Sequence, residues 1–213
     1  MSAAGVAVPR ALALLVLVVT AIAAHAGGPG LLLVAKPGLP DPNFARTVLV
    51  VAQDERGAAL GVVLNRPADV SLAQLMDNDP RVARFTEPMY LGGPVERVGL
   101  FAVFRADRPP GPALQIADDL WLALGPETLE QLLADPPAQL RLYAGYAGWA
   151  PGQLAAEIDR GSWWVLDPDP DVVFRRDTRG LWDELAARAN TVRTRHEPGR
   201  APPLIPASFA LGR

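Results

Sequence analysis

Of the side chains that most often carry catalysis, this sequence holds two histidines, His25 and His196, and no cysteine. His25 falls in an N-terminal segment expected to be removed, and His196 sits in a Pro- and Arg-rich tail. The folded body is therefore expected to hold no imidazole. That excludes Ser-His-Asp and Cys-His nucleophilic catalysis, and with them thiolate- or imidazole-ligated zinc. What remains for chemistry is carboxylates, arginines, tyrosines, tryptophans, amides and the backbone. No cofactor and no metal is expected, and the chain reads as a binding protein before it reads as an enzyme.

Four groupings of the remaining residue types invite a chemical reading. Asn65-Arg66-Pro67 ends an apolar run, so the Arg66 guanidinium is forced near the end of a sheet. There it needs a carboxylate, a carbonyl or an anionic ligand. An internal ion pair with Glu96 or Asp41 is one reading, and capture of an anion or ligand is the other. Gly145, Gly148 and Gly152, with Tyr146, Trp149 and Gln153 among them, join a strand to a helix. Such a loop can cradle a phosphate through its backbone N–H groups. The spacing matches neither phosphate fingerprint and no lysine follows, so a tight turn packed by Tyr146 and Trp149 is the plainer reading. Asp167-Pro168-Asp169-Pro170-Asp171 opens like a calcium loop, but Val172 and Thr178 stand where glycine and glutamate belong. It reads as a rigid surface turn. Adjacent Trp163 and Trp164 must face opposite ways in a strand, leaving one of them to line a groove or an interface.

These residues are positioned by elements that the apolar pattern predicts. The run 31–35 reads as a strand buried on both faces, followed by a loop over 36–46 with Pro37, Gly38, Pro40 and Pro42. Runs 47–52 and 60–64 form a hairpin about the polar turn 53–57. Ser71 caps a short helix with Leu72, Leu75 and Met76 on one face. Strands over 89–91 and 98–105 flank Gly92-Gly93-Pro94 and predict a second hairpin. Weaker strands lie over 114–116 and 120–124, and a helix opens at Pro126. A strand over 139–144, a helix over 151–160 and a strand over 163–166 follow. A last helix, opened by Thr178, carries Leu181, Trp182, Leu185 and Ala189. Early hairpins with later helices make an α+β pattern. The expectation is one compact domain over 27–189, with a mostly antiparallel sheet and several short packed helices. Residues 190–213 read as a partly disordered tail.

The 22 prolines and 19 glycines among 213 residues stay below the roughly 25–30% that marks low-complexity disorder. Half the chain is hydrophobic, which is enough for a core. A net charge of −3 argues against nucleic acid as a partner, since phosphate binding needs a basic face. Residues 1–26 read as a secretory signal peptide: Arg10, the apolar run 11–24 broken only by Thr20, then Ala24-His25-Ala26. The run is shorter than the ~20 residues that span a bilayer, so no membrane anchor is expected after cleavage. A periplasmic or secreted mature protein follows.

Several separated segments together resemble the AlgH/YqgE-like proteins of bacteria. They are Leu32-Leu33-Val34-Ala35, Asp41-Pro42-Asn43-Phe44-Ala45-Arg46-Thr47-Val48, GVVLNRP over 61–67 and YLGGPV over 90–95. Gly-Tyr-Ala-Gly-Trp-x-x-Gly-Gln-Leu within 142–154, and Trp163 with Asp167, complete the set. The resemblance implies a compact α+β fold with a bent sheet and no established enzymatic activity. One member's name derives from a proposed role in regulating alginate production. The chain departs from the family pattern in its signal segment, since members resemble cytoplasmic proteins beginning near Gly30. It departs again in its extra tail, and export argues against a direct transcriptional role.

Motif residues gather in loops at strand ends, which is where a rigid scaffold carries function. The leading expectation is an exported, non-catalytic module that binds an unidentified small molecule or protein near Arg66, Gly92-Gly93 and Trp149. Asn65, Arg66, Gly92, Gly93, Gly148, Trp149 and Gln153 are the candidate ligand-binding residues. One alternative is a carboxylate hydrolase in which Asp41 and Glu96 converge across a cleft. The other is a cytoplasmic regulator with a misassigned start.

Overall fold

The computed structural model describes residues 30–77 and 79–195. Strands β1 (Leu31–Ala35), β2 (Val48–Gln53) and β3 (Ala59–Val63) form an antiparallel meander, and β10 (Trp163–Leu166) lines the outer edge of β1. Side chains of the meander alternate between two apolar layers. Leu32, Val34, Val48, Val50 and Val62 point into one, while Leu33, Ala35, Leu49, Val51 and Val63 point into the other. Burial on both faces is why these runs are continuously apolar. Each such Leu or Val contributes roughly 1.5–3 kcal/mol by leaving water. Trp163 and Trp164 do fall on opposite faces: Trp163 packs in the second layer and Trp164 against the first.

The hub is β9 (Leu140–Trp149), which pairs with three strands. Antiparallel β6 (Val95–Arg105) takes one edge. The other edge is shared by β3, opposite residues 147–149, and by parallel β5 (Pro88–Leu91), opposite Tyr143 and Ala144. Beyond β6 lie β8 (Leu120–Ala123) and β7 (Ala113–Ala117), while β4 (Pro67–Ser71) pairs with β5. The sheet curls until Gly30 N donates to Ile116 O at 2.7 Å, bringing β7 back beside the start of β1. Helices α1 (Leu72–Leu75) and α2 (Gly125–Ala134) cover the third apolar cluster, around Phe104 and Leu142. Helix α3 (Gln153–Asp159) covers the layer of Trp163, and α4 (Pro170–Val173) and α5 (Leu181–Arg195) cover the curled interior. The α+β expectation of a bent, mostly antiparallel sheet with short helices stands.

Several local expectations do not. β5 and β6 make no hairpin, because β9 lies between them. Gly92-Gly93-Pro94 instead carries the chain across the β9 backbone. A Cβ on Gly92 would stand 2.2 Å from the Gly145 carbonyl oxygen, and one on Gly93 2.2 Å from the Tyr146 carbonyl. Two bare backbones in contact permit that crossing. The glycine-rich stretch 145–149 is no loop but the second half of β9, and the turn to α3 comes only at 150–152. The aspartate-proline run ends in α4, with Asp169 as its cap, Oδ1 accepting from Asp171 N at 3.0 Å, and Val172 and Val173 buried. Ser71 makes the expected cap, but Leu75 is 58% exposed rather than inside. Helix α5 runs on to Arg195, past the Ala189 boundary; the expected signal segment 1–26 and residues 196–213 lie outside the described residues.

Candidate functional site

Asn65 and Arg66 sit where β3 ends, and both are turned inward on the loop that precedes β2. Asn65 Oδ1 accepts from Val48 N at 2.9 Å, and its Nδ2 donates to Arg46 O at 2.9 Å. The side chain thus extends the β2–β3 ladder by one rung. The Arg66 guanidinium donates to the carbonyls of Asn43 at 2.7 Å and Pro42 at 3.2 Å. An ion pair with Glu96 or Asp41 was expected, and the structure corrects it. Carbonyls of a tight turn converge on the cation first, and Asp41 contributes only its charge. Burial pushes the guanidinium down from its ordinary value, and Asp41 pulls it back up. Arg46, at a left-handed φ of 55°, completes the corner. It lies 4.2 Å over the Trp182 ring and meets both carboxylate oxygens of Asp183, so the corner also seats α5.

Gly92 and Gly93 are the crossing just described. Gly92 N donates to Ala144 O and its carbonyl accepts from Val63 N, both at 2.9 Å, so neither group faces a ligand. Gln153 bonds the Ala150 N–H and donates to Glu157 at 3.1 Å. Glu157 also accepts from the indoles of Trp149 and Trp163, each at 3.0 Å. Phe44 stacks against Trp149 and meets Trp163 edge-on, with ring centroids 6.2 and 5.7 Å apart. Five conspicuous residues of the sequence are thereby one packed cluster.

Gly148 leads elsewhere, and Trp149 borders the same place from the strand end. They line an open groove of about 260 Å³ between the β2–β3 turn and the end of β9. It is lined by Leu60, Leu114, Tyr146 and bare Gly148, with Asp54 and Ala58 from the β2–β3 turn, while Trp149 borders it from the end of β9 with its ring packed in the layer of Trp163. Asp54 Oδ1 accepts from Arg56 N and Ala58 N at 2.9 and 2.8 Å, which shapes the turn. Burial, with the charge of Glu96, pushes the Tyr146 phenol up. Of the seven candidate residues, the structure brings Gly148 and Trp149 to this groove and gives the other five to the scaffold. Asp41 and Glu96 are exposed on separate segments, and neither lines the groove. Among the described residues no cluster of three acidic or imidazole side chains could hold a metal ion.

Sequence reasoning passed over Arg141, a guanidinium only 8% exposed. It donates to Val173 O and Arg175 O, each at 2.6 Å, and lies 4.4 Å over the Tyr90 ring. It closes the C-terminal end of α4, whose carbonyls are short of donors. The buried Tyr143 hydroxyl stands beside it without a hydrogen bond of its own. One signal was present: Arg141 interrupts a strand that is apolar on both faces, where an uncompensated charge is costly.

A sheet curled about one hub strand, with a glycine crossing on one side and an apolar groove at its end, describes a class that comparison identifies. A family model described as AlgH-like matches residues 32–192, and the chain belongs to that family. It is 41% identical over 169 residues to a UPF0301 protein of Thermobifida fusca, covering 75% of this chain and 85% of the relative. A UPF0301 protein of Ruegeria pomeroyi is 35% identical over 160 residues, with 72% and 87% covered. The solution structure of AlgH from Pseudomonas aeruginosa superposes with a TM-score of 0.60 at 28% identity, over 80% of this chain and 94% of that one.

Proposed function

We propose that this chain is an exported, non-catalytic binding module that receives a small ligand, or one side chain of a protein partner, in the groove at the end of β9. The observation that carries the reading is a contrast in how side chains are spent. Asn65, Arg66, Gln153 and Glu157 spend their polar groups on the fold, whereas bare Gly148 and the half-exposed Tyr146 ring open a groove floored by Leu60 and Leu114. At about 260 Å³ the groove is smaller than the ~300–1,000 Å³ of drug-sized pockets, so its occupant is small or is a fragment of something larger.

An amide-resolved NMR titration with three isosteric aromatic probes tests the reading: 2-phenylethylammonium, 2-phenylethanol and phenylacetate. Shifts from at least one of them should cluster at Ala58–Leu60 and Gly148, and Gly148→Leu, which fills the groove, should abolish them. No shift from any probe, or shifts scattered elsewhere, overturns the binding reading. Export is tested apart from it. N-terminal sequencing of protein from the native host should begin near Gly27, and full-length protein in the cytoplasm would defeat that half.

A further inference from the structure

We infer that the groove selects a small organic cation, a primary ammonium on a short aromatic or aliphatic body. The inference rests on the binding reading above and adds the chemistry of the ligand. Both hydrogen bonds that Asp54 receives from the protein fall on Oδ1, so Oδ2 keeps its capacity for a further donor, and Asp54 lines the groove. Opposite stands Tyr146, whose strand partner is Val95, so the neighbouring Glu96 brings a second negative charge to the hydroxyl end of that ring. No arginine or lysine lines the groove. Arg56 and Arg97 follow Glu55 and Glu96 in the chain and stand outside the lining.

The apolar surface points the same way. The half-exposed Tyr146 ring lines the groove, and an ammonium near such a ring's face is attracted by its quadrupole. Leu60 and Leu114 offer aliphatic contact for the ligand's body. An anion would meet the Asp54 carboxylate, with the Glu96 charge felt at Tyr146, and no cation on the lining to pair with. A neutral isostere would keep the apolar contacts and lose the Coulomb term. Charge complementarity therefore separates three ligands of one shape.

The dissociation constants of 2-phenylethylammonium, 2-phenylethanol and phenylacetate, measured on the 27–213 chain at pH 7 and low salt, test this. The cation should bind roughly five- to tenfold tighter than the alcohol, with phenylacetate weakest, and its advantage should shrink in 0.5 M salt. Asp54→Asn keeps an acceptor for the two turn N–H groups. It should reduce ammonium affinity to about that of the alcohol while leaving the alcohol unchanged. Equal binding of all three, or phenylacetate binding best, overturns the inference while leaving the groove a binding site. A cation preference that survives Asp54→Asn also overturns it. Should that variant fail to fold, the charge series and salt dependence of the wild type decide alone. Failure of all three probes to bind defeats the binding reading itself.

Discussion

The two ends of β3 use their polar side chains in opposite ways. At its C-terminal end, Asn65 and Arg66 turn back on the chain and close five polar contacts within a corner of the fold. At its N-terminal end, Asp54 spends one oxygen on the turn, and beside it Leu60, Tyr146 and Gly148 line an open groove. A dense motif marks where the backbone needs clamping. Backbone carbonyls and N–H groups in an irregular loop must be satisfied somewhere, and conspicuous polar residues are how the chain does it. A site for something else shows itself by what is left over.

Substitutions can break that comparison. The largest effect is expected at the crossing: Gly92→Val should cost roughly 3 kcal/mol or more, because its Cβ meets the Gly145 carbonyl oxygen and backbone cannot step aside. Urea unfolding measures it, and a wild-type midpoint would show that the two strands can separate at no cost. Arg141→Ala should follow at about 3 kcal/mol, from two charge-assisted hydrogen bonds and a buried guanidinium–ring contact. Arg141→Lys should recover part of that, since a single ammonium lacks the planar fork that spans two carbonyls. Equal losses for Ala and Lys would mean that packing, not hydrogen bonding, holds α4.

Local structure was legible in the sequence; long-range pairing was not. The β2–β3 hairpin, the Ser71 cap and the separate strands β7 and β8 follow from signals within a few residues of one another. The crossing at Gly92-Gly93 needs β9, which arrives some fifty residues later, and nothing near the glycines announces it. Glycines misled again at 145–148. They read as a turn because glycine frees the backbone, yet here they let β9 approach its neighbours and carry a left-handed φ of 74° at Gly145. At the site, Gly148 and Trp149 were legible as candidates, but Asp54, Leu60 and Leu114 were not. They become neighbours only when β7 closes the curl.

The Arg66 corner sharpens the contrast by degree. A carboxylate stranded in a core would make Arg66→Ala cost about 3–5 kcal/mol. The partners are instead carbonyls of a half-buried turn that water can reach, so about 1–2 kcal/mol is expected. Phosphate should raise the melting temperature of neither wild type nor variant. A phosphate-dependent rise in the wild type alone would return Arg66 to ligand capture, by linkage of binding to stability.

The smallest effect is expected at Gly148, and it bears most directly on what a leftover site is. A methyl there would lie 3.1 Å from the Tyr146 ring edge, the sole neighbour within reach apart from a second atom of that ring at 3.8 Å. The contact is tight, but the obstacle is a half-buried ring at the wall of an open groove, which can move by a few tenths of an ångström. Against that strain stands the entropy an alanine removes from the unfolded chain, about 0.4–1 kcal/mol in favour of folding. Gly148→Ala should therefore leave stability within about 0.5 kcal/mol of wild type while narrowing the groove, so that probe affinity falls and the melting temperature does not. Stability and binding falling together would place Gly148 with Gly92, as a residue the scaffold needs. Their separation is what distinguishes a site from a clamp, because a residue kept for a ligand can be changed without the fold noticing.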